Sequence, residues 1–101
     1  MTYMTSLGLE ARVLINGRLE MIKRLLNQGI PVILSHRLNL QEDYGHYTVA
    51  RGYDDARGVL LINDSYFGPM RGVAYSEMEA LWQHSNRRYI PVYRLDRKSV
   101  V

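Results

Sequence analysis

The sequence predicts an α+β domain, a mainly antiparallel sheet carrying two short helices. Runs of β-branched and aromatic residues recur between turn signals, and two of them are joined by the turn-rich "DDARG" at 54–58. Only two segments repeat their apolar residues at helical spacing. With 101 residues, 47% apolar and 23% charged, the chain has the size and balance of one small globular domain. It has no linker, repeat or low-complexity tract, so residues 1–101 are expected to form a single unit.

The elements follow in order. "EARVLI" at 10–15 is apolar and β-branched, and Asn16-Gly17 closes it as a turn. In "RLEMIKRLLNQG", Leu19, Ile22, Leu25 and Leu26 fall on one helical face, and Gly29 stands where a helix stops. "IPVIL" at 30–34 is a buried strand, and the polar "SHRLNLQEDYG" at 35–45 is a long loop of the sort that carries function. Strands at 46–53 and 59–63 form a hairpin. "SYFGPMRG" is irregular. "YSEMEALWQHS" is a helix with Ser76 and Glu79 spaced as a capping box and with Met78, Leu81 and Trp82 on its core face. "YIPVYRL" is a last strand, with Pro91 marking an edge or an end. The expected order is β-α-β-ββ-α-β.

The hairpin holds the candidate site. If Tyr53 closes the turn opposite Val59, then Thr48 lies opposite Asp64, and His46 and Asp64 share one face as diagonal neighbours. A one-residue bulge would separate their faces. A general-base histidine presents one ring nitrogen to a nucleophile while a carboxylate holds the other, so this pair has the parts of acid–base chemistry. Gly45 precedes the histidine, and Tyr44 and Tyr66 flank the pair in sequence as candidate contacts for a bound peptide. Tyr47, Val49 and Tyr53 belong to the other face, where Tyr47 and Tyr53 suit cross-sheet packing.

Other chemistries have less support. His36, Asp43, His46 and Asp64 could converge as a metal site, but no ligand spacing such as H-E-x-x-H accompanies them, so no metal or other cofactor is assigned. Ser35, Ser65 and Ser76 lack the G-x-S-x-G elbow of a serine nucleophile. "NDS" at 63–65 is a formal glycosylation sequon on a strand end. With no cysteine, the chain has neither a disulfide nor a thiol nucleophile of its own. The net charge of +3 comes from scattered basic residues, apart from Arg87-Arg88 and the tail Arg94, Arg97 and Lys98. No nucleic-acid signature goes with them, and no nucleic-acid partner is expected. The start lacks the layout of a signal peptide, and no apolar run approaches a membrane span, so no membrane partner is expected and the location stays open.

"LEMIKRLLNQGIPVIL", "GHYTVARGYDD", "VLLINDS" and "YSEMEALW", in that succession, resemble the papain-like cysteine peptidases of the bacteriocin-processing, double-glycine-leader type. The resemblance runs from about Leu9 to Tyr93. It implies that His46 corresponds to the catalytic histidine and Asp64 to the acid that orients it. Ser65 stands where the family usually has proline. The resemblance covers only the sheet lobe, because the family's Q-x-x-x-x-x-C-G segment, with its oxyanion donor and nucleophile, is absent from the sequence. A peptidase-like domain that is non-catalytic on its own is therefore expected, binding a peptide or protein partner or covering its exposed sheet face with a second copy. The alternative is a peptidase component whose nucleophile lobe comes from another chain or from residues outside this sequence.

Overall fold

A computed structural model describes residues 9–39, 41, 45–64 and 68–94. Its elements are β1 (Leu9–Ala11), α1 (Leu19–Asn27), β2 (Val32–Arg37), β3 (Gly45–Asp54), β4 (Val59–Asp64), β5 (Gly68–Ala74), α2 (Tyr75–Trp82) and β6 (Tyr89–Arg94). The strands form a single sheet in the order β1-β6-β2-β3-β4-β5, and every neighbouring pair is antiparallel. The expected fold class is the one observed. Ile22 of α1 and Met78 and Trp82 of α2 join Val32, Leu34, Ala50, Leu60, Ile62, Val73 and Tyr89 in one buried cluster. These strand positions alternate with outward ones, so both helices cover the same face of the sheet. Row-mates Ile33, Val49 and Asn63 lie on the other face, where Tyr47 is exposed.

Helix α1 stops where the sequence predicts. Gly29 takes a positive φ of 78°, its N–H bonds the Leu26 carbonyl, and the Ile30 N–H bonds the Leu25 carbonyl. This is a Schellman ending, which needs a residue free to enter the left-handed region. The first strand is shorter than 10–15. β1 pairs with β6 over Leu9–Ala11 and resumes as the single bridge Leu14–Tyr89. Leu14 and Tyr89 exchange both backbone hydrogen bonds, so the next such rung along the ladder pairs Arg12 with Pro91. Proline has no N–H to give, and the ladder breaks there. Pro91 thus interrupts one side of a strand that lies inside the sheet, between β1 and β2.

Three further expectations are corrected. β2 continues through Ser35, His36 and Arg37, which the polar composition had assigned to a loop; Ser35 and His36 are buried. "GPMRGVA" is a fifth strand with a register shift between Ile62 and Asp64 of its partner, so the irregular character lies in a bulge, with Met70 at φ 52°. Ser76 caps nothing: α2 starts at Tyr75 directly after β5, with no side-chain cap. There the Tyr75 N–H is taken by the Gly58 carbonyl.

Candidate acid–base site

The site depends on the register of the β3–β4 hairpin. At the turn Asp54, and not Tyr53, faces Val59, and the pairing runs through Gly52 opposite Leu61. A register shift then sets Arg51 aside, and Ala50 faces Ile62 and Val49 faces Asn63. The expected turn was therefore one residue out, and the bulge restores the predicted pairing beyond it. Without the bulge, His46 and Asp64 would lie on opposite faces. Its other consequence falls on Tyr53, which lies on the helix-covered side, packs against the core and bonds Oδ1 of Asn27 through its hydroxyl. Tyr47 does lie on the opposite face, but at 56% exposure it is not packed there.

On the core face, Nε2 of His46 lies 2.9 Å from Oδ1 of Asp64, with 16% and 2% of the two side chains exposed. A carboxylate can only accept, so Nε2 carries the proton and Nδ1 is the nitrogen with a lone pair in the neutral ring. The arrangement can accept a proton at Nδ1 while Asp64 stabilises the resulting imidazolium.

His36 is the residue that sequence reasoning left in a loop. It stands directly opposite His46 in the β2–β3 ladder. Its ring meets that of His46 edge to face, with centroids 5.6 Å apart. Burial pulls the His36 pKa below its ordinary value, a trend that nearby His46 and Arg71 reinforce and that the Arg37 carbonyl and Asp64 oppose. The signal that could have found it is the alternation of Val32, Leu34 and His36, which continues the core face of "IPVIL".

A cavity of about 200 Å³ reaches Asp64 but not His46, lined by His36, Asp64, Arg71, Ile62, Met78 and Leu81 among others. A larger groove of about 570 Å³ between α1 and β6 includes neither His46 nor Asp64 in its lining. Among the described residues, no set of three or more His, Cys, Asp and Glu side chains is placed to hold a metal ion. Gly45 is exposed at the start of β3. Tyr44, Tyr66, Asp43 and Ser65 lie outside the described residues.

An antiparallel sheet with helices on one face and a histidine–acid pair on adjacent strands defines the sheet half of a papain-like peptidase. The chain matches the Peptidase_C39 like family over residues 3–91, and it belongs to that family. No curated protein and no solved structure gives a significant match. The chain has the family's fold without a cysteine, so it lacks the thiol nucleophile of a cysteine peptidase and is not catalytic by that route in isolation. No helix among the described residues is long and apolar enough to cross a membrane.

Proposed function

We propose that this chain is a partner-binding, peptidase-like module that retains His46 and Asp64 as an inherited general base and orienting acid. The observation that carries this reading is the 2.9 Å contact between His46 Nε2 and buried Asp64 in a chain with no cysteine. Tyr47, 56% exposed on the face away from the helices, is an apolar side chain open to a peptide, a protein or a second copy. Gly45, Tyr44 and Tyr66 are assigned to ligand contact by their sequence positions beside the pair. Calorimetric titration with a panel of unfolded peptides tests the module. Saturable binding that survives His46→Ala but weakens at least tenfold on Tyr47→Ala is the expected result. A chain inert toward all peptides and monomeric at high micromolar concentration overturns it.

One observation favours a second reading, a peptidase component completed in trans. With Nε2 turned to Asp64, Nδ1 is the nitrogen through which His46 would serve a thiol from another chain. Mixing the chain with a separately expressed cysteine-bearing lobe of a family peptidase tests this. Raised thiol reactivity toward iodoacetamide that depends on His46 supports it, and reactivity equal to that of the lobe alone rejects it.

A further inference from the structure

We propose that His36 is a positioning residue for His46, its ring forming a fixed wall that holds the His46 imidazole toward Asp64. The inference rests on reading His46 and Asp64 as an acid–base pair. His36 is 3% exposed, and both of its ring nitrogens are engaged. Nδ1 lies 2.6 Å from the Arg37 carbonyl and Nε2 lies 3.0 Å from the Thr48 hydroxyl. A carbonyl only accepts, so Nδ1 carries the proton, and Nε2 receives the hydrogen of Thr48. Thr48 is itself 1% exposed and sits two residues from His46 on the same strand. The His36 ring therefore cannot turn without giving up two hydrogen bonds in a buried site.

His46 packs edge to face on this wall, with 81° between the ring planes. A strand histidine has several rotamers open to it, and a ring fixed directly opposite removes those that swing across toward β2. The orientation left to it points Nε2 at Asp64. The charged or titratable groups around His36 are His46 on β3, Asp64 on β4 and Arg71 on β5, with Glu77 of α2 on the wall of the adjoining cavity. Among these groups, burial pulls the His36 pKa below its ordinary value. An apolar side chain would fill the same space in β2, but it would leave the buried Thr48 hydroxyl without this acceptor.

Nuclear magnetic resonance of the full chain tests the proposal by the exchange rate of the His46 Nε2–H with water. His36→Ala, which removes the wall, is expected to speed that exchange at least tenfold, while His36→Phe, which keeps a flat ring but neither of its hydrogen bonds, is expected to give a smaller rise. Thr48→Val, which loosens the wall with little change in volume, is expected to give an intermediate rate and covers the case in which His36→Ala fails to fold. An unchanged rate in a folded His36→Ala, or in Thr48→Val, overturns the proposal, as does an equal loss in the alanine and phenylalanine variants. Absence of partner binding with the three rates ordered as stated would count against the functional reading alone.

Discussion

His36 and His46 face each other across the β2–β3 ladder in opposite tautomers. His36 donates from Nδ1 to a backbone carbonyl, and His46 donates from Nε2 to a carboxylate. The two rings therefore hold their protons on different nitrogens, although they belong to one cluster.

The first prediction concerns acid. Burial places the folded-state pKa of His36 below its ordinary value of 6.5. The unfolded chain then binds more protons than the folded one between those two values, so stability must fall as pH falls. The His36 contribution is fully present above pH 6.5 and is lost progressively below it. One proton sets a ceiling of about 1.4 kcal/mol per pH unit on the slope. Urea midpoints measured from pH 8 to pH 5 should decline more steeply for the parent than for His36→Phe. Parallel curves would show that His36 does not titrate as described.

The second prediction separates the two members of the pair. His46→Ala leaves the Asp64 carboxylate buried without its histidine donor, which costs about 1–3 kcal/mol. Asp64→Asn keeps an oxygen acceptor in the same place and removes the charge, so it should cost less. Urea denaturation at pH 7 is expected to rank the parent first, Asp64→Asn second and His46→Ala last.

Much of this site is legible in the sequence, and the exceptions have physical causes. Helix α1 was marked at both ends by period and by Gly29, because its determinants are local. The pairing of His46 with Asp64 followed from side-chain parity, but by way of a turn placed one residue out. Arg51 in the bulge offsets that error, and nothing in its own side chain announces a bulge. β5 went unrecognised because Gly68, Pro69 and Met70 carry turn chemistry inside a strand held by pairing with β4. His36 and Ser35 were missed because a polar residue signals a loop unless its partners are known. The His36 partners, Thr48 and the Arg37 carbonyl, belong to the tertiary structure and to a backbone group. Ser76 has the spacing of a cap, but the cap position falls on Ala74, which has no side-chain oxygen, and Ser76 lies inside the first turn of the helix.

A third prediction tests the end of α1. Gly29 at φ 78° sits in a region that costs a residue with a Cβ about 1–2 kcal/mol. Gly29→Ala should lower the urea midpoint accordingly, and Gly29→Asn should lose less, because asparagine enters this region more readily. Equal losses in the two variants would show that backbone conformation is not what the glycine supplies.

The fourth prediction concerns Gly17, where the constraint is space. Gly17 is buried at the foot of the core, and a Cβ placed on it would stand 2.7 Å from Cδ1 of Tyr89 and 2.8 Å from Cζ2 and Cη2 of Trp82. Neither ring yields easily. Trp82 is 1% exposed and is tied by its indole N–H to the Arg88 carbonyl at 2.8 Å. Tyr89 is 5% exposed, and its backbone is bridged to Leu14. Gly17→Ala should therefore cost about 1–3 kcal/mol through overpacking. Trp82→Phe removes the two indole carbons nearest the new methyl group, so it relieves part of the clash while losing the hydrogen bond to Arg88. In a double-mutant cycle, Gly17→Ala should cost less in the Trp82→Phe background than in the parent. The relief should be incomplete, because the contact with Tyr89 remains. Strict additivity in that cycle would mean that the indole does not set the limit at Gly17.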